Sequence, residues 1–393
     1  MTAQVYVVSA LRTPIGNFGG SLKDVPLSDL ATIVVKTALQ ASNVPSDAVA
    51  HLVMGTVIPT EPRDAYLGRV VALQSGLPKE TPAVNVNRLC GSGLQAIISA
   101  HQLIATGSAE VVIAAGAESM SRSPYLTLNA RWGSRMGDTR LLDYMVGVLQ
   151  DPFEKVHMGI TAENVAAEFH VSRADMDTLA AESHRRAAAA IGNGVFEAQI
   201  VPVEYAHGRH RKMFCIDEHV KATTTFEALS TMKPAFKKDG VVTAGNSSGL
   251  NDGAAALVLA SEDAVKKHNL KPLARIVSYG FAGVEPHLMG IGSVPAAQKA
   301  LAQAGLRTSA IDVVEANEAF AAQACAVSRL LDLDAKQVNP HGSGISLGHP
   351  IGATGAIIST KAIHELQRTG GRYALATMCI GGGQGIAAVF ERT

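Results

Sequence analysis

Much of this 393-residue chain is written twice. DAVAHLVMG (Asp47–Gly55) resembles SAIDVVEAN (Ser309–Asn317). The apolar segments before them, ALQASNV from Ala38 and ALAQAGL from Ala300, keep the same spacing of about 260 residues. GLQAIIS (Gly93–Ser99) resembles TGAIIST (Thr354–Thr360) around a shared AIIS at nearly that spacing, and VVIAAGAE (Val111–Glu118) resembles ALATMCIG (Ala374–Gly381) as an apolar strand ending in a loop. DGAAALV (Asp252–Val258) resembles QGIAAVF (Gln384–Phe390), but only about 130 residues later. The shared order makes chance a poor account of these pairs.

The drop in spacing locates extra chain. The first copy holds an insertion that the second lacks, so residues 1–119 with 246–270 form one core half, 120–245 an inserted loop domain, and 271–393 the other core half. Each copy reads strand–helix–strand–helix–strand–strand. Short, wholly apolar runs such as Val111–Ala115 suit strands covered on both faces of a mostly parallel sheet. Two such sheets, with helices outside and a shared helix layer between them, give a duplicated five-layer α-β-α-β-α core of the α/β class. The insertion is richer in Arg, Met and His, with loops such as Arg131–Asp138, and reads as a lid or cofactor-binding excursion.

Composition removes several function classes. With 47% hydrophobic and 17% charged residues the chain can fill a large core and is not a disordered segment. Lys and Arg number 34, as do Asp and Glu, so the basic surplus of a general nucleic-acid binder is missing. Four cysteines are too few for a disulfide framework. The uncharged stretches Asn339–Thr360 and Tyr373–Phe390 are broken by glycines and read as buried strand and loop rather than membrane spans. The first residues lack a basic region before an apolar stretch, Val5–Val8 reads as a first strand, and the final FERT is not a peroxisomal address. A cytoplasmic protein is the expectation.

Four residues stand where chemistry is possible. Cys90 lies between a short strand (Ala83–Val86) and a helix running to about Ala105. A sulfur beside a helix N-terminus tends to be an acidic nucleophile, although a free cysteine is more often a packing residue. His349 stands beside the repeat equivalent of Cys90, so the pseudo-twofold brings a cysteine turn and a histidine turn together. Such a pair can generate a thiolate, and a structural hydrogen bond is the alternative. Cys379 closes the strand Tyr373–Met378 and opens CIGGGQG, whose glycines could aim backbone N–H groups at a carbonyl oxygen. Asn317 ends the strand Ile311–Ala316, where it could hold a water or carbonyl, or simply cap a helix Glu318–Leu331. Other patterns fail: there is no CxxC pair for zinc, no GxGxxG opening a helix, and no lysine closing a phosphate loop. The basic run His207–Lys212 could steer an anionic cofactor, with a solvated loop as its plainer reading.

Together these motifs resemble the thiolases, acetyl-CoA acetyltransferases and β-ketothiolases of the condensing type, over essentially the whole chain. They are NRLCGSGLQAI around Cys90, AGAESMS (Ala115–Ser121), TAGNSSGLNDGAAA (Thr243–Ala256), NEAF (Asn317–Phe320), GHPIGATG (Gly348–Gly355) and CIGGGQG (Cys379–Gly385). The resemblance implies that Cys90 is the acylated nucleophile and that His349 activates it. His349 and a water held by Asn317 would form one oxyanion hole, and the backbone N–H groups of Cys90 and Gly381 the other. Cys379 would be the acid/base of the second half-reaction, its thiol pKa lying near the working pH. No metal and no tightly bound cofactor are implied. Coenzyme A enters and leaves as part of acetyl-CoA, acetoacetyl-CoA or a longer 3-ketoacyl-CoA. His157, Met158 and Ser248 match the pantetheine channel, and Phe236, Phe320 and Ala319 its walls. Lys221 stands where the family often has Arg against the nucleotide, and Ala228 where some members have Ser. NPHGSGISLGHP departs from the commoner NVNGGAIALGHP and looks like thiolases that accept longer acyl chains. A homotetramer built as a dimer of dimers is also implied. Ketoacyl synthases share the fold, but the second cysteine and the NEAF, GHP and CIG set favour a thiolase. A non-catalytic acyl-CoA-binding scaffold is the further alternative.

Overall fold

The apolar runs become strands covered on both faces. In the computed structural model, which describes residues 4–393, Val111–Ser119 and Asn251–Ser261 are buried at every position. The main sheet contains β1 (Val5–Arg12), β2 (His51–Gly55), β3 (Ala83–Val86), β4 (Val111–Ser119), β5 (Asn251–Ser261), β6 (Ala274–Gly283), β7 (Val313–Ala316), β8 (Tyr373–Ile380) and β9 (Gln384–Arg392). Their order is β7-β8-β9-β6-β1-β5-β4-β2-β3, with the two-residue strand Gly16–Asn17 paired to β5. The duplication shows in this order, because β2, β4, β5 and β1 have their counterparts in β7, β8, β9 and β6. The counterpart of β3 is reduced to an isolated parallel bridge between Val314 and Val338.

Two expectations are corrected. The sheet is not mostly parallel: only β2 with β3, β2 with β4, and β7 with β8 run parallel, and the other ladders are antiparallel. Burial on both faces removes the polar alternation that marks many antiparallel strands, so apolar runs do not reveal direction. Nor are there two separate sheets. The pairs Tyr6 with Arg275 and Val7 with Ala274 join β1 to β6 and make the halves continuous.

The layers follow from alternation along the strands. The longer helices are α1 (Leu27–Ser42), α2 (Leu67–Gln74), α3 (Ser92–Ala105), α4 (Met158–Glu168), α5 (Arg173–Gly192), α6 (Ser293–Ala304), α7 (Ala321–Leu330) and α8 (Thr354–Thr369). Ala255, Leu257 and Leu259 of β5 share a core with Ile386 and Ala388 of β9 and with Leu94, Ile97, Ile357 and Ile358 of α3 and α8. Ala254, Ala256 and Val258 face the opposite way, onto α1 and α2. Ala387 and Val389 turn outward onto Ala296, Ala297 and Ala300 of α6. The order is therefore helices, strands, the α3/α8 pair, strands, helices. Each fully covered Leu or Ile contributes about 1.5–3 kcal/mol, and the central pair draws that burial from both halves at once.

Between β4 and β5 the chain leaves the layers. This excursion carries α4, α5, a hairpin of Val203–His207 with His210–Phe214, and a smaller pairing of Tyr125–Leu126 with Leu142–Asp143. A fully buried ion pair, Arg12 Nη1 to Asp217 Oδ1 at 2.7 Å, ties it to β1. No helix among the described residues is long and apolar enough to cross a membrane.

Candidate active site

Cys90 sits in a turn held by its neighbours. Ser92 Oγ accepts the N–H of Arg88 and donates to the carbonyl of Leu89, while Asn87 Oδ1 accepts the N–H of Leu89. Leu89 is held at φ 46°, a left-handed conformation unusual for a bulky residue. The helix then starts at Ser92, leaving the sulfur just outside its first turn.

His349 follows Gly348, whose φ is 109°. A Cβ there would stand 2.5 Å from Cγ of Asn251, so only glycine fits the approach. The contact is used: the N–H of His349 donates to Asn251 Oδ1 at 2.9 Å. On the ring, Nδ1 lies 2.6 Å from Thr354 Oγ1, and Asn317 Nδ2 lies 3.4 Å from Nε2.

Asn317 is fully buried, and its Oδ1 has no partner. Its N–H donates to Thr377 O. Asn339 fixes the strand end by pairing with both backbone groups of Ala316 and by donating to Glu318 Oε1. The capping alternative fails, because α7 begins only at Ala321 with Phe320 as its cap. Cys379 lies inside β8, which runs on to Ile380, rather than closing the strand.

These groups meet at one cavity of about 390 Å³. Cys90, His349, Cys379 and Gly381 line it together with His157, Met158, Phe236, Ser248, Ala319 and Phe320. Asn317 adjoins the site through its amide nitrogen, which lies 3.4 Å from Nε2 and 3.5 Å from Nδ1 of His349. His157 stacks on Phe236 with ring centroids 4.7 Å apart, and Phe236 meets Phe320 edge-on. Ser248 donates its N–H to Ala319 O at 2.9 Å, linking the two chain segments.

Burial sets the protonation of the resting site. It pushes the Cys90 thiol up to about 11, although the N–H groups of Gly381 and of Cys90 itself pull the other way; Glu118 adds to the rise. Burial, followed by the proximity of Cys90, also raises the Cys379 thiol well above its usual range. Burial lowers His349 to about 4. Two expectations are corrected here. Proximity to a helix N-terminus does not make Cys90 acidic, and the Cys379 thiol does not titrate near neutral pH, because loss of solvation exceeds what the backbone donors supply.

Lys221 lies elsewhere. It lines an adjoining cavity of about 350 Å³ with Ala228, His184 and His219, and this cavity shares Ala244, Ser247 and Gly249 with the first. His184 Nδ1 accepts the N–H of Lys221. Burial holds both His184 and His219 near 4, with the charge of Lys221 adding to it. The basic run His207–Lys212 forms an exposed hairpin tip and lines neither cavity.

Family models for the thiolase N-terminal domain and the thiolase C-terminal domain match residues 5–263 and 270–392. The chain belongs to the thiolase family. This thiolase is 60% identical to the beta-ketothiolase BktB of Cupriavidus necator over the whole of both chains. It is 48% identical to the acetyl-CoA acetyltransferase of Escherichia coli, covering 98% of each. The crystal structure of human mitochondrial 3-ketoacyl-CoA thiolase in complex with CoA superposes with a TM-score of 0.97 at 47% identity, over 100% of this chain and 98% of that one.

Several residues of the thiolase site escaped the sequence reading. Met120, Met145, Val148, Leu149 and Ile351 line the cavity but carry no individual signal, since they are ordinary apolar residues scattered along the chain. Glu118 was visible within AGAESMS but had no assigned role. It is fully buried and accepts the N–H groups of Ile58 and Gly352, so it holds the turn that follows His349. Burial pushes its carboxyl up to about 8.

Proposed function

We propose that this thiolase joins two acyl-CoA molecules by a ping-pong Claisen condensation, and that it runs the reverse CoA-dependent cleavage of a 3-ketoacyl-CoA when mass action favours it. The observation that carries this reading is the convergence of a half-buried thiol, a buried thiol and a neutral imidazole on one cavity, with the Gly381 N–H at the Cys90 sulfur.

The Cys90 sulfur attacks the thioester carbonyl carbon as its proton passes to His349. The carbonyl oxygen gains charge between the N–H groups of Cys90 and Gly381. The carbon–sulfur bond to CoA breaks, and the departing sulfur takes the Cys379 proton. Cys379 is then a thiolate beside an imidazolium, and a thiol of raised pKa makes a strong base. It removes the α-proton of the second acyl-CoA, whose enolate oxygen is stabilised by His349 and a water on Asn317. The carbon nucleophile attacks the acyl group, the bond to Cys90 breaks, and the imidazolium returns its proton to that sulfur.

Coenzyme A fits the same reading as substrate and product. Its pantetheine arm runs along His157, Met158 and Ser248 against Phe236, Ala319 and Phe320, with Lys221 reaching its nucleotide end. The residues shared by the two cavities support this path. The apolar lining of Met145, Val148 and Leu149 supports acyl groups longer than acetyl. Assembly as a homotetramer belongs to the reading too, supported by the exposed Tyr125, Leu128, Trp132 and Met136 on the inserted segment. Deletion within 122–147 followed by sedimentation tests it.

The central test mixes the protein with acetoacetyl-CoA and CoA, follows loss of the enolate absorbance, and traps labelled acetyl on Cys90. Absence of both turnover and adduct would leave an acyl-CoA-binding scaffold.

A further inference from the structure

We propose that Thr354 is a positioning residue for this chemistry: its hydroxyl oxygen keeps the resting proton of His349 on Nδ1, leaving Nε2 as the ring atom that receives the Cys90 proton. The inference rests on the acyl-transfer reading above and adds a residue to it.

Among the described residues, the side chains within hydrogen-bond distance of the ring are Thr354 and Asn317. No carboxylate touches it. The imidazole therefore lacks the acidic partner that commonly orients a catalytic histidine. Thr354 is the first residue of α8 and is almost fully buried. Its Oγ1 lies 2.9 Å from the carbonyl oxygen of Pro350, four residues earlier, in the geometry of a donated bond. Threonine often makes this back-bond to a preceding turn. A hydroxyl has one proton and two acceptor sites. With the proton directed at Pro350, a lone pair faces Nδ1 at 2.6 Å.

Asn317 does not decide between the two nitrogens, because its Nδ2 stands 3.4 Å from Nε2 and 3.5 Å from Nδ1, so the Thr354 contact alone selects the tautomer. Proton transfer from Cys90 then makes an imidazolium with two N–H groups, and the Thr354 oxygen still accepts the one on Nδ1. A methyl group in that place would leave a buried, charged N–H unpaired.

The test compares Thr354→Val and Thr354→Ser with the wild-type full-length protein. It measures single-turnover acetylation of Cys90 by acetyl-CoA, steady-state KM, and the ¹⁵N shifts of His349. Thr354→Val should slow acetylation about 10- to 100-fold, the scale of one hydrogen bond to a charged group, with KM nearly unchanged. Thr354→Ser should restore most of the rate. The wild-type spectrum should report Nδ1–H with Nε2 bare, and Thr354→Val a mixture. Unimpaired acetylation in Thr354→Val, a serine variant as slow as the valine one, or a wild-type Nε2–H tautomer would each overturn the proposal. Failure of the wild type to acetylate at all would instead sink the acyl-transfer reading. The tautomer is read in the wild type, so the test survives misfolding of a variant.

Discussion

Gly93 and Gly355 meet where α3 crosses α8. A Cβ on Gly93 would stand 2.6 Å from the backbone nitrogen of Ala356, and one on Gly355 would stand 2.2 Å from that of Leu94. Each glycine is the second residue of its helix, and each lies a few residues beyond a chemical side chain, Cys90 or His349. Their contact holds the two turns at one cavity. Gly355→Ala should cost about 1–3 kcal/mol through overpacking and lower kcat more than it changes KM. Denaturant unfolding alongside steady-state kinetics checks both. Normal stability with normal turnover would show that the crossing does not set the active geometry.

The two sulfurs should separate by half-reaction. Cys90→Ala should abolish the acyl adduct. Cys379→Ala should still accept an acyl group from acyl-CoA but block condensation and exchange. Mass spectrometry of the protein, paired with an isotope-exchange assay, distinguishes them. Equal loss of acylation in both variants would overturn the assignment of Cys379.

Asn317→Ala should reduce turnover by about 10²–10³, the scale of one lost oxyanion contact. A purely structural role would behave differently, lowering stability and sparing turnover. Thermal unfolding and kcat measured on one preparation decide between them.

His349 makes stability depend on acid. Its folded pKa, near 4, lies below the ordinary 6.5, so the unfolded chain binds the proton first as pH falls. The stability linked to it is full above about pH 6.5 and is lost as pH drops toward 4. Between pH 6.5 and 5 the loss is about 2 kcal/mol for such an imidazole. His184 and His219 act in the same direction. His349→Gln should lose less stability than the wild type between pH 7 and 5 in calorimetric scans. Parallel losses would place the acid sensitivity elsewhere.

Lys221 is exposed, and its effect should be modest. Lys221→Ala should raise KM for CoA about two- to fivefold, with kcat unchanged and the difference shrinking in high salt. A fall in kcat at saturating CoA would mean that this side chain does more than attract the nucleotide.

The strand and helix around Cys90 were legible to the residue at Ala83–Val86 and to the helix end at Ala105, because Pro82 and Asn87 punctuate the strand and Gly91 and Gly107 the helix. His349 was legible through the repeat rather than through its own surroundings. Strand direction was not, since β5 and β9 are sealed on both faces and carry no polar face to orient them. The late start of α7 was hidden as well: Glu318 is occupied by Ser183 and Asn339 across long sequence distances, and that pinning delays the helix. Thiol acidity escaped for a related reason. A helix terminus can be read from sequence, whereas the depth of the sulfur depends on what the rest of the chain stacks above it.

That depth has a consequence for the life of the protein between encounters. Peroxide and electrophiles attack thiolates far faster than thiols, and loss of solvation raises the pKa of both sulfurs here. Sulfurs held as thiols are spared much of the chemical wear that an always-ionised cysteine would suffer.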